Sequence, residues 1–268
     1  MSIRKSALLL AVTVAFAACA DDAAPAGDAG LDLAVRDLAG SGDAAVDLAA
    51  DPNDILGTLS GSCGVLAPLL HDPSPSLVNN ALAFVSGEAY VRGSLSPDGQ
   101  RLYDIPNAGG SSTESEVMSF EVLHFCDGAR LLKSETEISY AAPTDGGGNS
   151  ITDILVAFGG DKIGVSVTRA YKPTVAGMTD LEVYDLLVKK LVGIRQSSSR
   201  VLPADRWVKQ ILHVFVATAA TEQAIARVLP TIDAATRADT IVLVTRTTGG
   251  GFIYCDPDPA LGSECPLR

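Results

Sequence analysis

The chain has 268 residues and a formal net charge of −12, with 47% hydrophobic residues and five cysteines. Arg4 and Lys5 put +2 on residues 1–19, and eight Asp against Arg36 put −7 on residues 20–52. That leaves −7 of the total −12 for residues 53–268. An acidic folded part argues against broad electrostatic binding of nucleic acid, which needs a basic surface to release phosphate counterions.

The first residues carry an address. Arg4 and Lys5 form a positive n-region, and Ala7 to Ala18 form an apolar stretch too short to span a bilayer. Phe16-Ala17-Ala18-Cys19 follows. This segment resembles a bacterial lipoprotein signal with its lipobox at Cys19. The resemblance implies cleavage after residue 18, lipid on Cys19, and attachment to the membrane through that lipid. Ala20, where an Asp would favour retention in the inner membrane, implies an exported lipoprotein of the outer membrane. An ordinary secretory signal ending Ala-x-Ala is the competing reading. Residues 19–52 are rich in Asp and Ala, with Asp-Leu-Ala at Asp32, Asp37 and Asp47. They have too little apolar mass to offset the entropy of ordering, so a disordered tether is expected.

Residues 53–268 are long enough for one core. With Cys19 lipidated, Cys63, Cys126, Cys255 and Cys265 remain, an even number in an exported chain. Three pairings are possible. Cys255–Cys265 is favoured because Asp-Pro-Asp-Pro between them reads as a stapled loop, leaving Cys63–Cys126. A zinc site is disfavoured by the absence of a CxxC pair and by three scattered histidines.

In chain order, Leu59–Val65 reads as a short strand carrying Cys63. Pro75–Val85 is weakly amphipathic, an uncertain helix because of Asn79-Asn80, and Gly87–Leu95 reads as a strand. Ser96-Pro97-Asp98-Gly99 has turn chemistry. A helix is expected from Thr113, with Glu114 and Glu116 in its first turn and an end at Cys126-Asp127-Gly128. Leu131–Tyr140 reads as a strand. Ile151–Lys172 reads as the central hairpin, two apolar runs joined at Gly159-Gly160-Asp161. Thr179 and Glu182 form a capping box opening a helix with Tyr184, Leu187, Val188, Leu191 and Ile194 at helical spacing, stopped by Ser197–Pro203. Gln210–Ala217 reads as a buried strand, Thr221–Val228 as a helix, Thr240–Thr247 as another strand, and Phe252–Cys255 as an edge strand. His213 is expected to be buried and hydrogen-bonded, while His71 and His124 have no evident partners. The expected fold is α/β or α+β: a mixed central sheet with an antiparallel hairpin and later βαβ units, flanked by helices.

The order of elements over residues 113–248 resembles the core of the restriction-endonuclease-like PD-(D/E)xK superfamily. In that family an Asp begins the second core strand and (D/E)-x-K follows on the third. The acids hold a divalent metal, the lysine assists water, and the first helix often adds a Glu. Asp153 in Thr152-Asp153-Ile154 matches the first acid, and Glu116 or Glu121 matches the helix acid. Ser166 stands at the second acid and Thr168 at the lysine. Lys189 or Lys190 on the next helix could take the lysine's part, as migrated lysines do in some members. The resemblance implies magnesium or manganese, with Asp153 as its ligand, for an active member. A neutral hydroxyl is a poor ligand for so hard a cation. No GxSxG, HExxH, P-loop or GxGxxG is present.

Two expectations follow. The first is a membrane-anchored envelope lipoprotein with a non-catalytic binding or structural domain, no cofactor and an unidentified envelope partner. The second is a metal-dependent nuclease or phosphodiesterase with an altered site at Asp153.

Overall fold

In the computed structural model the chain divides into Met1–Val46 and Asp47–Arg268, and every described residue lies in the second unit. Those residues are 57–84, 92–106, 113–143, 148–173 and 177–254. Cys19, the tether, and Cys255–Cys265 lie outside them, as does most of Gly87–Leu95. Among the described residues no helix is long and apolar enough to cross a membrane.

The domain is an α/β fold with a mixed central β-sheet. Its strands are β1 (Thr58–Gly61), β2 (Ser76–Ala83), β3 (Arg130–Ser134), β4 (Ile154–Phe158), β5 (Asp161–Ala170), β6 (Lys209–Val216) and β7 (Ile241–Thr248). The helices are α1 (Pro97–Asp104), α2 (Thr113–Asp127), α3 (Asp180–Arg200), α4 (Ala219–Val228) and α5 (Ala234–Arg237). The sheet order is β1-β2-β7-β6-β5-β4-β3. Strands β2, β7, β6 and β5 run parallel, and β1, β4 and β3 add antiparallel pairings.

From residue 113 to 248 the main helices and strands come in the expected order, and the short α5 before β7 is an unexpected addition. The hairpin closes with Phe158 opposite Asp161, so Gly159-Gly160 forms a two-residue turn. Gly159 has φ +58°, the left-handed value that glycine reaches without a Cβ penalty. The capping box at Thr179 and Glu182 is complete in both directions. Residues alternate across β5. Ile163, Val165 and Val167 pack with Val117, Phe120 and Leu123 of α2. On the other face, Leu212, Val214 and Val216 of β6 pack with Val183, Leu187, Leu191 and Ile194 of α3 and Ile225 of α4. The strands are thus covered on both sides, which accounts for the continuous apolar run of β6.

Several local expectations are corrected. Pro75–Val85 holds a strand, not a helix. Val78, Asn80 and Leu82 are buried while Asn79 and Ala83 are exposed, a period of two. Strand β7 offers β2 eight register partners, from Ser76 opposite Ile241 to Ala83 opposite Thr248, and such pairing overrides a weak amphipathic pattern. Ser96-Pro97-Asp98-Gly99 begins α1, with the Ser96 side chain accepting from Gly99 N and Pro97 at the first helical position. Strand β3 stops at Ser134, and Tyr140 makes only an isolated bridge to Val201. Helix α3 runs on to Arg200, and its buried stripe uses Val183 while Tyr184 is exposed. Phe252 belongs to a 3-10 turn, Gly251–Tyr254, not an edge strand. Cys63 and Cys126 are disulfide-bonded with Cα atoms 4.7 Å apart, the pairing expected of them. The bond ties the chain just after β1 to the last turn of α2.

Candidate functional site

Asp153 sits one residue before β4, where the chain enters the sheet. Its carboxylate folds back onto β5, Oδ2 accepting the Val167 N–H at 2.6 Å. Helix α3 crosses this end of the hairpin, because its apolar stripe is buried against the sheet and its next face overhangs the strand. Lys190 Nζ reaches in to donate to the Val167 carbonyl at 3.3 Å. Asp153, Ser166, Lys189 and Lys190, with Ser150, Ile151, Gly193 and Ile194, line one cavity of about 220 Å³. Of the residues singled out from the sequence, Asp153, Ser166, Lys189 and Lys190 border this one cavity.

The Asp153 carboxyl is pushed up to about 6. Burial is the main cause, and the Val167 N–H and the Lys190 ammonium oppose it. A carboxyl raised in the folded state stabilises the fold at low pH, and that contribution is lost as pH rises from 3.8 through about 6. Asp153→Asn keeps an acceptor for Val167 and removes the charge. It is expected to stabilise the domain at pH 7 by about 1–3 kcal/mol, discounted for the open rim of the cavity, and to be neutral at pH 4. Urea denaturation at the two pH values checks this; equal effects at both would refute it.

The other proposed members of the site do not join it. Glu121 is fully buried under α1, Oε1 accepting Ser96 Oγ at 2.5 Å and Oε2 accepting Ser96 N–H at 3.1 Å. It anchors Ser96, whose Oγ in turn accepts the Gly99 N–H at 3.1 Å, and puts a carboxyl at the positive end of α1. A Cβ on Gly99 would lie 1.9 Å from Glu121 Oε1, so glycine is needed for that approach. Burial raises the Glu121 carboxyl above its ordinary value, against the two Ser96 hydrogen bonds. Glu116 lines a different, small cavity of about 10 Å³ with Ser134 and Glu135. Both glutamates stand on α2, across the sheet from α3. Thr168 is buried but does not border the Asp153 cavity.

Magnesium or manganese therefore does not fit. Among the described residues no three His, Cys, Asp or Glu side chains gather to hold a metal ion. At the cavity one carboxylate is available, it already takes a backbone N–H, and two ammonium groups stand beside it. A hard divalent cation needs several oxygen ligands and meets repulsion here instead.

The histidines are all partnered. His213 lies between Ser119 Oγ, 2.8 Å from Nδ1, and Thr245 Oγ1, 2.8 Å from Nε2, and stacks on Phe215 with ring centroids 4.5 Å apart. Burial pulls it down to about 3, so the ring is neutral, one nitrogen donating and the other accepting. His71 Nε2 pairs with Asp161 at 2.9 Å, and His124 Nδ1 lies 2.8 Å from the Ala129 carbonyl. The partners of His71 and His124 were not legible because they come from a strand end 90 residues away and from a helix-ending loop.

No protein-family profile matches the chain. It is similar to the AAC-rich mRNA clone AAC4 protein of Dictyostelium discoideum, 41% identical over 170 residues, covering 60% of this chain and 24% of that protein. The chain thus spans about a quarter of that relative's length. Among solved structures, SfsA of Pyrococcus furiosus in complex with Ca2+ aligns at 13% identity over 52% of this chain and 57% of that one, with a TM-score of 0.25. Neither likeness assigns the chain to a family.

Proposed function

We propose that the chain is a lipid-anchored protein of the bacterial cell envelope whose α/β domain binds a partner or ligand and does not catalyse a reaction. The observation that carries the non-catalytic part is the composition of the Asp153 cavity: one carboxylate, the two serines Ser150 and Ser166, and two lysines, with Glu116 and Glu121 held elsewhere. Such a pocket offers hydrogen bonds and charge to a polar ligand without the carboxylates that in-line phosphodiester hydrolysis by a metal would require. The order α2-β3-β4-β5-α3-β6-α4-α5-β7, with the short α5 as an addition, supports reading residues 113–248 as a restriction-endonuclease-like core that has lost this site. The apolar stretch before Cys19 and the acidic tether support the anchor.

A second reading has one observation in its favour. Lys190 comes from the helix after the hairpin and reaches the strand beside Asp153, where a migrated catalytic lysine would stand. A nuclease or phosphodiesterase with an altered site is that alternative.

Incubating the full chain with labelled DNA or RNA, with magnesium or manganese added, separates the two. We expect no cleavage. Cleavage that disappears in Asp153→Ala would overturn the binding reading and establish the other. For the anchor, Cys19→Ser is expected to abolish both lipid labelling and membrane retention in the producing cell; retention unchanged by the substitution would refute it.

A further inference from the structure

A second, larger cavity of about 440 Å³ opens where α3 ends, beside the starts of β6 and β7. Its volume is in the range of small-molecule sites. Three cationic side chains line it, Arg195, Arg206 and Lys209, against one carboxylate, Asp239. Ser198 and Trp207 also face it, and the indole N–H donates to Ser198 Oγ at 3.1 Å, which fixes that wall.

Lys209 is the unusual member. Its side chain is 1% exposed, although lysine is almost never fully buried unless paired. Nζ donates to the backbone carbonyls of Asp72 and Ser74. Its nearest carboxylate, Asp239, is 3.9 Å away and half-exposed, too far for a hydrogen bond. Two carbonyl dipoles and the charges of Asp72 and Asp239 compensate the buried ammonium, and neither carboxylate is hydrogen-bonded to it. The two arginines add to the positive balance. Their guanidinium groups are planar forks that match carboxylate and phosphate oxygens. Both side chains are exposed, and Arg195, which also feels the Asp233 carboxylate, can turn with Arg206 onto a ligand entering the cavity.

The wall opposite is strained. Arg237 to Thr240 is a turn closed by Thr240 N–H donating to the Arg237 carbonyl at 3.1 Å. Ala238 within it has φ 46° and ψ −129°, a conformation that favours glycine. Strain of this kind gathers at ligand clamps, and Ala238 and Asp239 both border the cavity.

We infer that this cavity is a binding site for an oxyanion, the phosphate or carboxylate group of a small ligand, held by Arg195 and Arg206 over the buried Lys209. The site is separate from the Asp153 cavity, with which it shares only Ile194 of α3. It also resolves a tension in the charge of the chain. The acidic domain repels anions at long range, so a ligand must be captured by a local basic recess.

Isothermal titration of the full chain with inorganic phosphate, phenyl phosphate and succinate tests the inference and separates the sources. Saturable binding of at least one probe is expected. Preference for the two phosphates assigns a phosphate site, and preference for succinate a carboxylate site. Arg195→Gln and Arg206→Gln should each weaken binding by about tenfold, and the double variant should abolish it, with unchanged thermal unfolding because both side chains are exposed. Lys189→Gln/Lys190→Gln, in the neighbouring cavity, should leave it within about twofold. No saturable binding of any probe, binding indifferent to the arginine substitutions, or binding lost with the lysine pair instead would overturn the inference.

Discussion

Acidification from pH 6.5 to about 3 is expected to cost the fold about 5 kcal/mol through His213 alone. The ring is buried and neutral, whereas in the unfolded chain it titrates at its ordinary value of 6.5. Below that pH the unfolded state binds a proton that the folded state refuses, so stability falls by about 1.4 kcal/mol per pH unit until the folded ring itself charges. Asp153 works in the opposite direction between 3.8 and about 6. Over that window the two slopes nearly cancel, and the native chain should show a flattened profile. Asp153→Asn is expected to unmask the His213 slope. A triple variant, Ser119→Ala, His213→Phe, Thr245→Val, removes every member of the buried polar row at once. It should stay within about 1.5 kcal/mol of the native protein at pH 7, since replacing all partners by apolar groups leaves nothing unsatisfied. His213→Leu alone should cost about 2–3 kcal/mol, because it strands two buried hydroxyls. Urea titrations at intervals from pH 7 to pH 3 measure this. An Asp153→Asn protein whose stability did not change from pH 6.5 to 4 relative to the triple variant would refute the account.

Removing the Cys63–Cys126 bridge is expected to lower stability by about 4 kcal/mol. The cross-link spans 63 residues, and the entropy it withdraws from the unfolded chain grows with the logarithm of that loop. The consequence is uneven. Strand β1 is four residues long, mostly exposed, and hydrogen-bonded only to β2. The chain after it is otherwise held by Ser62 N–H donating to the Asn79 carbonyl at 2.9 Å, by the Gly64 and Leu66 N–H groups donating to the Asp127 carboxylate, and by the buried Leu66 side chain. Cys63→Ala/Cys126→Ala should therefore speed hydrogen exchange first in β1 and the residues following it, while β5 and β6 keep their protection relative to the lowered global stability. Denaturant midpoints with and without reductant give the magnitude. A loss below about 1 kcal/mol would show that the unfolded chain was already compact around these cysteines.

Much of the domain could be read from local pattern. The main elements of residues 113–248 could be ordered because each carries its own signal: Glu114 and Glu116 at a helix start, glycines at the Phe158–Asp161 turn, Thr179 and Glu182 as a capping box, and an apolar run in β6; the four-residue α5 carries too short a signal and was missed. The pairing of Cys63 with Cys126 was expected, although the favoured grounds lay in the other two cysteines. The grouping of Asp153 with Ser166, Lys189 and Lys190 was also within reach, because a hairpin followed directly by a helix returns that helix over its own strands.

Other features depend on partners that no local pattern names. Ser76–Ala83 is a strand because β7, more than 150 residues later, presents a free row of backbone groups. Glu121 looked like a site acid, yet it closes the end of α1, since Ser96 and a side-chain-free Gly99 meet it there. Lys209 reads on paper as the polar start of a strand and becomes the floor of a recess, because parallel strands place that end under the loop at Asp72–Ser74. Arg195 and Arg206 come together only through the turn between α3 and β6. The physical reason is common to all four. Helix and hairpin signals act over a few residues through backbone geometry and caps, whereas burial and charge pairing are settled by whichever chain segment arrives on the opposite side.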